Sequence, residues 1–104
     1  MTYRVIIPPH VEALIYDQAR YLQTQGAGNT VVAEWLEELF ARFEPLADHP
    51  RLYRIAETVS KALGSEVRRI NHGEYAVFYR VDEQSRCIEL IDFRHGRRRE
   101  PEAG

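Results

Sequence analysis

Arginine and histidine are the residues here whose types and spacing invite a chemical reading, and they crowd into the C-terminal part of the chain: Arg68, Arg69, Arg80, Arg94, His95, Arg97, Arg98 and Arg99. Three chemistries can be weighed against them. A metal site would draw on His10, His49, His72 and His95, but no two of these are spaced to share a helix face or a turn, so no metal and no cofactor is expected. Nucleophilic catalysis lacks a G-x-S-x-G turn, and Cys87 sits inside a predicted strand with no neighbouring sequence that would lower its pKa. The third is metal-free RNA cleavage, in which basic side chains hold the scissile phosphate, one group accepts the 2′-hydroxyl proton and another protonates the leaving oxygen. Only this last chemistry matches the residue types present.

These residues must be carried by strands. From Val67 to Ile70 the chain is apolar and basic, and Asn71-His72-Gly73 predicts a turn, since Gly tolerates positive φ. Glu74 to Val81 alternates, with Tyr75, Val77, Tyr79 and Val81 on one face and Ala76, Phe78 and Arg80 on the other. After the polar break Asp82–Ser85, a strand over Cys87 to Phe93 places Ile88 and Leu90 on one side and Ile91 and Phe93 on the other. An antiparallel meander follows.

The preceding half supplies a cover for that sheet. Tyr3 to Ile7 reads as a short first strand stopped by Pro8-Pro9. Val11, Leu14, Ile15, Ala19 and Leu22 recur at helical spacing up to about Gln25, and Gly26-Ala27-Gly28 breaks the helix. Val32, Trp35, Leu36, Leu39, Phe40, Phe43 and Leu46 form the apolar stripe of a second helix, with Glu34, Glu37, Glu38 and Arg42 opposite. Leu52 to Leu63 is compatible with either a short helix or an irregular connection. The expected fold is α+β in the order β-α-α-β-β-β, a helical hairpin from Pro9 to Leu46 on a mainly antiparallel four-stranded sheet, with residues 1–104 forming one domain.

Composition narrows the setting. The 104 residues carry a formal charge of −2, yet residues 1–48 hold three arginines against seven acids and residues 49–104 hold eleven basic residues against nine. Thirteen of the fourteen basic residues are arginine, which suits planar, bidentate contact with carboxylates or phosphates; a GC-rich genome would give the same bias. A single cysteine excludes an internal disulfide, no apolar run reaches membrane-spanning length and the N-terminus has no signal-peptide pattern, so a cytoplasmic protein without a membrane partner is expected.

The segments V-R-R-I at 67–70, G-E-Y-A-V-F-Y-R-V-D at 73–82 and R-H-G-R-R at 94–98 resemble the C-terminal half of the RelE/ParE superfamily, the toxins of type II toxin–antitoxin modules. The likeness extends from Tyr3 to about Arg99. In that superfamily the segment between the second helix and the sheet is variable and often passes under the antitoxin. The ribonuclease branch, which cuts messenger RNA in the ribosomal A site, has an arginine directly after the tyrosine that opens the central strand. Here that position is Ala76. Of the branch's two lysines on the preceding strand, Arg69 matches one and Val67 the other; Arg98 matches its arginine after the last strand, and its closing tyrosine has no counterpart. A second ribonuclease arrangement of the superfamily is imitated in part by Arg68, Arg80 and His95.

The ParE-like branch is the better likeness, in the helical hairpin, the Tyr75–Val81 strand and the His95-Gly96-Arg97-Arg98 ending. It implies a toxin that poisons DNA gyrase by binding, has no catalytic residues of its own and is held by a cognate antitoxin in a hetero-oligomer. Arg68, Arg69, Arg94, Arg97, Arg98 and Arg99 are then the expected partner-binding surface, and the ribosome and messenger RNA are the alternative target. A RelE-fold protein that has lost toxicity and persists as a binding module is the third reading. A pI near 6.1 favours the gyrase reading over ribosome-directed cleavage, because binding to RNA phosphates draws on a strongly basic surface.

Overall fold

The computed structural model describes residues 2–96. Strand β1 (Arg4–Ile6) is followed by helices α1 (Pro9–Thr24) and α2 (Asn29–Ala41), a 3-10 turn (Glu44–Ala47), helix α3 (Glu57–Leu63) and strands β2 (Arg68–His72), β3 (Tyr75–Asp82) and β4 (Cys87–His95). The sheet order is β1-β4-β3-β2, with β1 parallel to β4 and the other neighbours antiparallel. The expected α+β meander under a helical hairpin is therefore present, with α3 added in the stretch that periodicity left open.

Pro9 opens α1, where its missing N–H is no loss. The helix buries Val11, Ile15 and Ala19, a four-residue repeat that forms one stripe. Val11 and Ile15 join Leu39 and Phe43 against Ile70, Val77, Tyr79, Ile88 and Leu90 on the sheet. Trp35 packs edge-on against Tyr75 and Phe93, filling the gap between α2 and the sheet with apolar surface.

Four local expectations change. Helix α2 ends at Ala41 instead of running to Leu46, because Pro45 cannot donate the next helical bond; the 3-10 turn still carries Leu46 into the core. His72 is not a turn residue: it lies in β2, only 6% exposed, and the turn is made by Gly73 at φ +59°. Arg42, expected on the solvated side of α2, turns back so that its Nε donates to His72 Nδ1 at 2.8 Å. Phe93 lies on the hairpin face with Leu90, not on the opposite face with Ile91. The cause of this last change is a bulge in β4: Phe78 pairs with Asp92 but Tyr79 with Leu90, so Ile91 is the extra residue and alternation restarts beyond it.

The segment between α2 and β2 is pinned from the sheet. Tyr79, fully buried, donates its hydroxyl to the Pro50 carbonyl at 2.9 Å, and Tyr53 stands edge-on to its ring. Arg54 and Ala56 bond to the outer edge of β2 through Arg69 and Val67, which covers part of an edge that would otherwise be open. Ser60 completes that cover by accepting from the Val67 N–H at 2.8 Å. Gly64 then ends α3 in the left-handed conformation.

Candidate functional site

Alternation along β3 sends Ala76, Phe78 and Arg80 to the sheet face opposite the hairpin. The same face receives Arg69 of β2, which pairs with Phe78, and Val67 just before that strand. The bulge in β4 places two successive residues there, Ile91 and Asp92, before Arg94, which pairs with Ala76. Helix α3 covers one end of the face, its Val59 and the preceding Ala56 packing against Val67, Ala76 and Phe78.

A chain of local contacts aims the cations on this face. The Phe93 N–H donates to Asp92 Oδ1 at 2.8 Å, which fixes the carboxylate. Its other oxygen accepts from Arg94, Nε at 3.1 Å and Nη2 at 2.5 Å. Held there, the Arg94 guanidinium sits 5.2 Å from the Phe78 ring centre, and Arg69 sits 5.6 Å from the same ring. Each such cation–ring contact contributes about 0.5–1 kcal/mol near a surface. Further along the face Arg80 pairs with Glu89 at 3.3 Å. Between α3 and these pairs lies a groove of about 550 Å³ lined by His10, Thr58, Val59, Ala62, Leu63, Phe78 and Ile91.

The other sequence-picked residues go elsewhere. Arg68 points to the hairpin side and folds beneath the loop before α3, donating to the Tyr53 carbonyl at 2.8 Å and pairing with Glu66. Its side chain is 13% exposed, so it serves as a loop anchor. His95 pairs with Tyr75 on the hairpin face, stands edge-on to that ring and places Nε2 3.1 Å from Glu74 Oε1. Arg68, Arg80 and His95 are therefore not brought together: Arg80 is separated from His95 by the sheet itself. Ala76, where a clamping arginine would stand, is fully buried. Arg97, Arg98 and Arg99 lie outside the described residues.

The His95-Gly96 step has a steric reason. A Cβ on Gly96 would come within 2.8 Å of the Glu74 carbonyl oxygen, to which the Gly96 N–H donates. Only glycine allows this approach where the chain leaves the sheet.

Sequence reasoning missed Phe78 and Asp92 as parts of a site. Phe78 could have been found from alternation alone, because it falls between two arginine-bearing strands; Asp92 could not, because its side depends on the bulge. The Cys87 thiol also differs from expectation. Hydrogen bonding with Ser85, then with Arg4 across the strand pair at 3.6 Å, draws it below the ordinary thiol range. His72 is held below the ordinary imidazole range, mainly by burial and then by Arg42, with the Trp35 carbonyl and Glu38 opposing. Among the described residues no group of three or more His, Cys, Asp or Glu side chains is placed to hold a metal ion, and no helix is long and apolar enough to cross a membrane.

The family model for the ParE toxin of type II toxin–antitoxin systems, parDE, matches residues 5–100. The chain belongs to the ParE toxin family. A chain of the archaeal RelE–RelB complex from Pyrococcus horikoshii has the same fold: the two are 21% identical, the alignment covers 95% of this chain and 100% of that one, and the TM-score is 0.52. No curated protein matches. As a ParE-family chain it is a toxin component, and the arginine-bearing sheet face is its candidate interaction surface.

Proposed function

We propose that this ParE-family toxin acts by binding, with DNA gyrase as its target, and that a cognate antitoxin neutralises it within a cytoplasmic hetero-oligomer. The observation that supports binding over catalysis is the distribution of the candidate groups. General acid–base cleavage requires its acid, base and phosphate-holding cation around one scissile bond, within hydrogen-bond reach of it. Here Arg80 and His95 occupy opposite faces of the sheet and Arg68 is spent on backbone carbonyls. Arg69 and Arg94, by contrast, share one face, and Arg97, Arg98 and Arg99 follow in the sequence where β4 ends. Such a set suits recognition of carboxylates or phosphates through planar guanidinium contacts.

Controlled expression without antitoxin tests the reading, with primer-extension mapping of messenger RNA and an assay for gyrase-linked DNA breaks in the same cells. Intact transcripts together with breaks are expected. His95→Ala and Arg80→Ala should each leave the growth arrest in place. Cuts in the ribosomal A site without breaks, abolished by either substitution, would overturn the proposal in favour of a metal-independent ribonuclease. Absence of any arrest would assign the chain to non-toxic binding proteins of this fold.

A further inference from the structure

The sheet face that carries the arginines is laid out in rows across β2, β3 and β4. One row reads Arg69, Phe78, Asp92 and the next Asn71, Ala76, Arg94. The two arginines stand at opposite corners, each with a hydrogen-bond acceptor two residues away on its own strand and on the same face. Asn71 Oδ1 accepts from Arg69 Nε at 2.8 Å, and Asp92 Oδ2 accepts from Arg94 Nε at 3.1 Å and Nη2 at 2.5 Å. Phe78, fully buried, lies beside both, with the Arg69 and Arg94 guanidinium carbons 5.6 and 5.2 Å from its ring centre. Leaning along β2, Arg69 reaches the end of β4: its Nη2 stands 3.7 Å from where a Cβ on Gly96 would be.

The fold gains little from this arrangement. Asn71 is exposed, and the Arg94–Asp92 pair, with side chains 31% and 33% exposed, is screened by solvent. What the acceptors change is freedom. An arginine left loose must give up its rotamers when a partner binds, whereas one already held has given them up on folding.

We propose that Asn71 and Asp92 are positioning residues of the toxin, each acting through the arginine two places from it, so that Arg69 and Arg94 meet an anionic group of the target as a fixed pair. The role rests on the reading of this face as the interaction surface. Charge by itself predicts the opposite for Asp92, because its carboxylate subtracts from the positive field of the face and an anion would bind better without it. Geometry makes it necessary, since without that carboxylate Arg94 loses the acceptor that turns it toward Phe78.

The test is inducer-titrated growth arrest by the full chain, with toxin abundance read by immunoblot. Arg69→Gln and Arg94→Gln should each raise the abundance needed for arrest, which checks the surface itself. Asn71→Ala and Asp92→Ala should raise it about two- to tenfold, the factor expected when one more long side chain must be ordered on binding. Asp92→Asn, which keeps an acceptor without the charge, should recover most of that loss. In heteronuclear NMR spectra of the full chain, Asn71→Ala should move the Nε–H signal of Arg69 and leave that of Arg94, and Asp92→Ala should do the reverse. A merely structural role would not divide the signals in this way. Asn71 is exposed, so its variant carries the test if Asp92→Ala fails to fold. Arrest at lower abundance in Asp92→Ala, unchanged arrest in Asn71→Ala, or unmoved arginine signals would overturn the positioning role and leave the surface reading standing. Unchanged arrest in both arginine variants would overturn the surface reading itself.

Discussion

Acidification should destabilise this protein through His72, and the geometry sets the sign. The imidazole is 6% exposed, and its Nδ1 accepts a hydrogen bond from Arg42 Nε at 2.8 Å, which requires a neutral ring with no proton on that nitrogen. A proton added there would set two donors face to face beside a permanent charge. Glu38 and the Trp35 carbonyl oppose this effect but do not cancel it, so the folded-state pKa lies below the unfolded value of about 6.5. The unfolded chain then binds more protons than the folded one between those two pKa values. Stability contributed by neutral His72 is complete above the unfolded pKa and is lost as pH falls through the folded one, at up to about 1.4 kcal/mol per pH unit. Urea unfolding from about pH 7.5 to about pH 5 measures it against His72→Gln, whose carbonyl can accept from Arg42 without titrating. The native protein should lose stability faster on acidification than the variant. Parallel pH profiles for the two proteins would refute the neutral, Arg42-bonded ring.

Other substitutions separate structural from recognition roles. Arg68→Ala should cost about 1–2 kcal/mol in urea unfolding, because it strips the donor from the Tyr53 carbonyl, while Arg69→Ala on the opposite face should change stability by less than about half as much. Tyr79→Phe should cost about 1 kcal/mol by removing the bond to the Pro50 carbonyl, and limited proteolysis should then cut the 48–56 segment sooner. Gly96→Ala should relieve growth arrest with a stability loss of about 1–3 kcal/mol, as its Cβ collides with the Glu74 backbone and shifts the start of the arginine run. Arrest of undiminished strength in that variant would show that the direction in which the chain leaves β4 is irrelevant to toxicity.

Most of the architecture was legible in local patterns. The four-residue repeat of Val11, Ile15 and Ala19 gave α1, and strict alternation from Tyr75 to Val81 gave β3 with both faces assigned. Such periods are intrinsic to the helix and the strand, so they survive without knowledge of neighbours. Helix α3 was ambiguous because its seven residues show no buried stripe: only Val59 and the flanking Ala56 meet the sheet. The family itself was legible in the Tyr75–Val81 strand and the His-Gly-Arg-Arg ending, and the match over residues 5–100 agrees.

The site was less legible, since adjacent arginines were indistinguishable until pairing was known. Composition determined that this chain would present guanidinium groups, and the alternation of residues 67–93 that many of them would lie on strands near its end. Tertiary structure decided which of them face a partner: Arg68 turns under a loop to serve backbone carbonyls, whereas Arg69, one residue on, crosses to the ring of Phe78. It also decided the groove, because one extra residue at Ile91 reverses the side of everything after it and puts Asp92 where it can hold Arg94. A strand's alternation is local, but its register belongs to the pair of strands, and no single segment of sequence contains it.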